Sequence, residues 1–370
     1  MFSVIFPGQG SQSVGMVKNL YDKHYYIKDL FDKADQILGF SITKMIFEGP
    51  IEELNKTENT QPAIFLASYA IYEFLKRESE FKVKNVKYFA GHSLGEYSAL
   101  AATDSIDFEQ AIKLLKARGR AMQLAVPDQK GGMLAVLGSE IDIISKILDE
   151  NSKKYACYIA NDNSNGQIVI SGMNKDLNLL IEDLKIKSIK NVKLSVSAPF
   201  HCKLMSPATK IMRKEISNTE FKNPNNVIIS NVTGSEVQEV DKIKDLLIKQ
   251  IESPVLWRET VGGSGRDPPA CSATVDRCES NRAGSRATSS TRESPWSMCV
   301  SCQHLAVWCA GARRCTCRAR PPCRKDRAGG FDGHHETWGV DGARCGSARR
   351  SVRSRRGSLA HRSGPAREGS

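Results

Sequence analysis

The segment Gly91-His92-Ser93-Leu94-Gly95 has the form G-x-S-x-G and follows a short apolar run over 86–90. At a sharp strand-to-helix turn the flanking glycines let the backbone bend tightly, and the serine hydroxyl is pushed out of the sheet to where a substrate can reach it. The helix that starts beside Ser93 aims unpaired N–H groups at the same spot, an arrangement suited to an oxyanion. The motif alone also fits an ordinary glycine-rich turn, so its partners must be sought elsewhere in the chain.

A serine nucleophile needs a base, and imidazole, with an unperturbed pKa near ~6.5, suits that task. Residues 1–262 hold three histidines. His24 lies in the charged stretch Asp22-Lys-His-Tyr and reads as solvated. His92 adjoins the serine, but its place on the turn aims it away from the hydroxyl. His201 is placed by a stiff loop, because Pro199 holds the preceding backbone extended, and it is the expected base. No Asp or Glu stands close after His201 to orient it. A helix end can serve instead: over 242–252, Gln250 shares a stripe with Ile243, Leu246 and Leu247, and Pro254 stops the helix. The Gln250 carbonyl is then among the last four without an intrahelical partner. It either accepts from His201 or faces water, and the sequence leaves both open.

Arg118 follows Leu114 by four and Leu115 by three and precedes Met122 by four, which puts a permanent cation on the apolar face of its helix. Burying an unpaired charge is very costly, and no carboxylate stands four residues away to neutralise it. A substrate carboxylate is one partner that would fit; a salt bridge to another element is the other.

The elements that must position these residues read as an α/β chain. A buried strand over 4–6 leads into the loop Pro7-Gly8-Gln9-Gly10-Ser11-Gln12; a helix over 60–76 carries Pro62 in its first turn; a strand over 86–90 reaches Ser93; and a helix capped by Asp107 runs to Met122. The pattern then becomes strand 133–137, helix 141–148, strand 155–160, strand 167–171, helix 176–184 and strand 192–196. That βαββαβ order predicts a ferredoxin-like unit over 129–196, inserted in a larger α/β core formed by 1–128 and 197–261. A helix to about 216, a strand over 227–230 and the helix over 242–252 follow.

Composition breaks near Gly262. Residues 263–370 carry 19 Arg and one Lys against nine acidic residues, so nearly all of the formal +12 charge lies there, and their Leu, Ile, Val and Phe come to 8 of 108 residues. That is too little apolar material for a packed core, and 262–370 reads as a disordered tail. Two of the 11 cysteines, Cys157 and Cys202, lie before the break, as expected of a reduced, cytoplasmic protein. The first residues lack the basic region of a signal peptide, and no run reaches the ~18 apolar residues of a membrane helix.

Taken together, PGQGSQ near the start, TQPA at 60–63, GHSLGEYSAL at 91–100, the helix arginine, Asn161-Asp-Asn163 before Gly166-Gln167, and APFHC at 198–202 closely resemble the malonyl-CoA:acyl-carrier-protein transacylases. The resemblance covers about residues 1–261. It implies a hydrolase-like parallel-sheet domain with a ferredoxin-like insert, and transfer of a malonyl group from malonyl-CoA to the phosphopantetheine thiol of an acyl carrier protein in fatty acid biosynthesis. It further implies Ser93 as nucleophile, His201 as base, the Gln250 carbonyl as its orienting group, the N–H groups of Gln9 and Leu94 as oxyanion hole, and Arg118 as clamp for the malonyl carboxylate. Asn161, Asn163 and Phe200 join the substrate-binding residues, the Phe200 ring disfavouring a methyl branch. No cofactor or metal beyond the two substrates, no nucleic acid, no membrane and a monomeric state are expected.

After Val261 the sequence leaves the family's pattern, and the shift to Arg, Gly, Ser and Cys resembles a chimera or a frameshifted reading of GC-rich DNA. Cys299-x-x-Cys302, with Cys309, Cys315, Cys317 and Cys323, does not repeat a known four-ligand zinc spacing. The arginines lack the aromatics and motif of a nucleic-acid module. A serine hydrolase and a non-catalytic basic binding protein are the alternatives to transfer.

Overall fold

The computed structural model describes residues 2–79, 82–127, 130–196 and 198–262, together with the backbone of 296–302 and 305–310. In chain order the elements are β1 (Phe2–Phe6), α1 (Lys18–Lys23), α2 (Tyr25–Leu38), α3 (Ile42–Glu48), α4 (Ile51–Leu54), α5 (Thr57–Glu78), β2 (Val86–Gly91), α6 (Gly95–Ala102) and α7 (Phe108–Leu124). The chain continues with β3 (Gly131–Leu137), α8 (Ile141–Glu150), β4 (Cys157–Ser164), β5 (Gln167–Met173), α9 (Asn174–Ile186) and β6 (Lys190–Lys193). It returns through α10 (Ser206–Asn218), β7 (Val227–Ile229), β8 (Glu236–Val237), α11 (Val240–Gln250) and α12 (Trp257–Gly262).

Two sheets organise these elements. In the first, β1, β2 and β7 run parallel, with Ile5 beside Ala90 and Ala90 beside Ile229, so the carboxyl end of β2 stands at the sheet's centre. Long helices flank it: α5 carries an almost continuous buried surface from Thr57 to Tyr72, and α7 is N-capped by the Asp107 carboxylate, which accepts from the Gln110 N–H at 2.7 Å. The second sheet is antiparallel in the order β4-β5-β3-β6, which is the ferredoxin-like arrangement of a βαββαβ unit. Its pleat divides the two cores. Leu134, Val136, Ile168 and Ile170 face α8 and α9 in one apolar cluster, whereas Met133 and Val169 join the larger cluster of the parallel-sheet domain.

The structure departs from the sequence reading in several places. The last strand of the insert is Lys190–Lys193, earlier than 192–196. It is an edge strand with exposed lysines, and the apolar Leu194 and Val196 that suggested a strand instead pack on the larger core as the chain crosses back. Helices α1 to α4, of which α2 runs for 14 residues, and the short α12 lie outside the segments assigned from sequence. His24 sits between α1 and α2 with its ring against Tyr26 and Phe74 and 3.8 Å from the Glu78 carboxylate, so it is packed at a helix junction and not merely solvated. Finally, β9 (Trp296–Cys302) and β10 (Leu305–Ala310) form an antiparallel hairpin whose β10 pairs with β1. Composition marks that stretch as disordered, yet 305–310, Leu-Ala-Val-Trp-Cys-Ala, is a continuous short apolar run able to pair on an open sheet edge. The remainder of the tail, and the side chains of its cysteines and arginines, lie outside the described residues.

Candidate active site

Ser93 follows β2 directly and has φ 54°, a left-handed conformation that a non-glycine residue adopts at a cost of roughly 1–2 kcal/mol. The neighbours make room for it. A Cβ on Gly91 would lie 1.9 Å from the Gly95 carbonyl carbon, and one on Gly95 would lie 2.6 Å from the Phe6 carbonyl oxygen, so both positions require glycine. Asn231, just past β7, staples the turn: its Oδ1 accepts from the Ser93 N–H at 2.7 Å and its Nδ2 donates to the Gly91 carbonyl at 2.8 Å.

The structure brings His201 to Ser93, with 2.8 Å between the imidazole Nε2 and the serine Oγ. His201 also has a left-handed backbone, φ 57°, and is buried. Its Nδ1 lies 2.8 Å from the carbonyl oxygen of Gln250, the last residue of α11. A carbonyl can only accept, so Nδ1 carries the proton and Nε2 presents its lone pair to the serine. Burial, reinforced by the nearby Arg118 cation, pushes the His201 pKa down to about 3. The resting ring is therefore neutral and competent to take a proton.

Arg118 is buried and reaches the same serine. Its Nη2 donates to Ser93 Oγ at 3.1 Å and to Gln250 Oε1 at 2.8 Å, and Nη1 donates to Gln61 Oε1 at 2.9 Å. All three acceptors are neutral, and among the described residues Arg118 makes no salt bridge. Its Nε–H, like the Tyr97 hydroxyl beside it, has no hydrogen-bond partner among the described residues. A guanidinium with spare donors pointed at a reactive serine is a ready receptor for a carboxylate. Gly119 allows this placement, since a Cβ there would lie 2.6 Å from the Thr57 carbonyl of α5.

The Leu94 N–H stands at the N-terminus of α6, and the Gln9 N–H lies in the loop after β1. That loop packs on the turn, the His92 N–H donating to the Phe6 carbonyl at 3.0 Å. Neither the Gln9 nor the Leu94 N–H has an acceptor among the described residues, which leaves two donors from different elements for an oxyanion. Phe200 is buried directly before His201, and its carbonyl takes the Ser171 hydroxyl at 2.5 Å, tying the histidine loop to β5.

Such an assembly of nucleophile, neutral base, oriented carbonyl, anion donors and buried cation can form and release an acyl-serine. The acyl transferase domain family matches residues 3–270. The chain belongs to this family of acyltransferases. Relatives include the malonyl CoA-acyl carrier protein transacylase of Haemophilus influenzae, 38% identical over 72% of this chain and 85% of the relative. The enzyme of the same name from Bacillus subtilis is 39% identical over 70% of this chain and 80% of its own length. Among solved structures, a malonyl transacylase in complex with its type II polyketide acyl carrier protein superposes with TM-score 0.67 at 37% identity, over 70% of this chain and 82% of that one. The family match ends at residue 270 and leaves the Arg- and Cys-rich segment outside it.

Within this acyltransferase Asn161 and Asn163 lie beside the nucleophile turn. The hydrogen bonds of Asn161 and Asn163 go to His92, whose Nε2 lies 3.1 Å from Asn161 Nδ2 and 3.0 Å from Asn163 Oδ1. They brace the residue beside the nucleophile, and His92 also sets its ring edge against Trp257. On the helix that carries Arg118, Lys113 pairs with Glu109 at 2.7 Å and Lys116 with Glu58 at 3.2 Å. Sequence reasoning missed Glu96, Asn231, Gln61 and the side chain of Gln250. Glu96 carried a signal: one carboxylate in the otherwise uncharged helix GEYSALAA, wholly buried.

Proposed function

We propose that this chain transfers a malonyl group from malonyl-CoA to the phosphopantetheine thiol of an acyl carrier protein, serving fatty acid synthesis. His201 takes the Ser93 proton as the oxygen attacks the thioester carbonyl; the developing oxyanion rests on the N–H groups of Gln9 and Leu94. Collapse expels CoA, His201 returning the proton to the leaving sulfur, and leaves malonyl-Ser93. The carrier thiol then gives its proton to His201 and attacks the ester, and serine is regenerated when the proton passes back to Oγ. The Gln250 carbonyl keeps His201 in the productive tautomer throughout, in the role an aspartate fills elsewhere.

One observation carries the malonyl assignment: Arg118, fully buried, with no carboxylate in direct contact, and within 3.1 Å of the nucleophile. The substrate carboxylate replaces its neutral acceptors and fixes the thioester over Ser93. Phe200, next in chain to His201, restricts the α-carbon to an unbranched acyl unit. No cofactor takes part, and the enzyme works as a cytoplasmic monomer. Among the described residues no helix is long and apolar enough to cross a membrane.

The test is order of release. Full-length protein mixed with malonyl-CoA is expected to give a burst of CoA equal to the enzyme present, with malonyl-carrier forming once holo-carrier protein is added. Continuous release of free malonate without carrier would instead make it a hydrolase.

A further inference from the structure

We propose that Glu96 is a positioning residue for the acyl carboxylate: it shares Arg118 with the substrate through the Gln250 side chain, so that seating a malonyl group is coupled to uptake of one proton by Glu96. This rests on the reading of Arg118 as the carboxylate anchor.

Glu96 lies in the first turn of α6 behind the nucleophile and is 2% exposed. Its Oε2 accepts from Gln250 Nε2 at 2.7 Å and from the Asn231 N–H at 3.2 Å. The other end of the same amide, Gln250 Oε1, accepts from Arg118 Nη2 at 2.8 Å. The Gln250 side chain thus stands with its donor end on the carboxylate and its acceptor end on the guanidinium, held in that sense by a second bond to the Ser93 carbonyl at 3.1 Å. One amide links the Glu96 carboxylate to the Arg118 guanidinium, with no direct salt bridge between them.

The groups around Glu96 leave little else to balance it. From α7 comes Arg118; beside it on α6 is the Tyr97 phenol; α11 offers neutral Gln250, and the loop after β7 offers neutral Ser230 and Asn231. One buried cation and one buried carboxylate are matched. A malonyl carboxylate on Arg118 makes two anions to one cation among buried side chains, the circumstance that raises the pKa of one of a carboxylate pair. The internal carboxylate is the one able to give way, since burial already pushes Glu96 up to about 7 while Asn231, Gln250 and Arg118 hold it down. The proton comes from solvent, and the protonated carboxyl keeps an acceptor oxygen for Gln250 and Asn231. An acetyl group brings no charge and asks for no proton.

Calorimetric binding of malonyl-CoA and acetyl-CoA to the full chain carrying Ser93→Ala, in two buffers of different ionisation enthalpy at pH 7.5, tests this. Expected are tighter binding and proton uptake for malonyl-CoA, no uptake for acetyl-CoA, and no uptake for either once Glu96→Gln is added. Tighter malonyl binding without proton uptake, or uptake unchanged by Glu96→Gln, would overturn the inference and leave the anchor reading intact. Equal affinity for the two thioesters would overturn the anchor reading itself. Should the Glu96 variant not fold, the ratio of the two binding constants between pH 6.5 and 8.5 decides: it falls by up to about tenfold per unit above the Glu96 titration if one proton is taken up, and stays flat if none is.

Discussion

Two histidine environments meet at Ser93, and comparing them shows what makes one a base and the other a brace. Burial lowers the pKa of both rings. Around His201, one nitrogen meets a backbone carbonyl that can only accept, and the other meets the serine hydroxyl. Around His92, one nitrogen is shared by two asparagine side chains and the ring edge meets Trp257. Desolvation is common to the two sites, so it cannot be the distinction. Partner geometry decides the tautomer and the direction of the lone pair.

Several measurements would break or sharpen that comparison. The largest effect is expected at the reactive pair: Ser93→Ala or His201→Ala should lower malonyl transfer on the order of 10⁴-fold or more, with thermal unfolding little changed. Steady-state kinetics with calorimetric Tm distinguishes this from misfolding. Next, Arg118→Ala should cost on the order of 10²–10³-fold with malonyl-CoA while acetyl-type thioesters gain, as a buried charge contact predicts; an unchanged acyl preference would remove Arg118 from recognition.

His92→Ala should act mainly on stability, by about 1–3 kcal/mol in denaturant unfolding, with no more than ~10-fold lost in rate. A loss as large as that of His201→Ala would contradict the division of labour. The smallest expected effect is Asp162→Asn, about 1–2 kcal/mol of stability: Asp162 is buried on β4 and bonds Arg258 of α12 at 2.7 Å, but the arginine side chain is 31% exposed.

The histidine contrast also has a pH signature. His201 is held neutral by burial and by Arg118, with a pKa about 3, so it stays an active base as pH falls through the ordinary imidazole range. The free-enzyme profile, kcat/KM, should therefore lack an acid limb near pH 6.5. A substrate carboxylate on Arg118 cancels part of the depression, so the limb in kcat should lie at higher pH than that in kcat/KM. Finding both limbs at the same pH would separate Arg118 from His201 electrostatically.

Legibility of this molecule in its sequence followed the range of the interactions involved. Ser93, Arg118 and His201 could be read because each sits at a turn, a stiff loop or an apolar stripe that local spacing reveals, whereas spacing made the Gln250 carbonyl a candidate without choosing its partner. The parallel-sheet core and the βαββαβ insert were legible for the same reason, from long periodic segments. Asn231 and Glu96 were not, because their partners lie 138 and 154 residues away in the chain. Helices α1, α3 and α4 have 6, 7 and 4 residues, too few for a long stripe, whereas the 14-residue α2 does carry one in Ile27, Phe31 and Ala34 that went unread. The hairpin β9–β10 was missed because composition averages over 108 residues and a sheet edge needs only a few apolar ones to pair.

The most direct test of the account is the mass of the protein after brief exposure to malonyl-CoA without carrier. A single malonyl adduct, mapped to the peptide containing Ser93 and absent from the Ser93→Ala and Arg118→Ala proteins, is the predicted result. No adduct on Ser93, or one that forms equally well from acetyl-CoA, would contradict it.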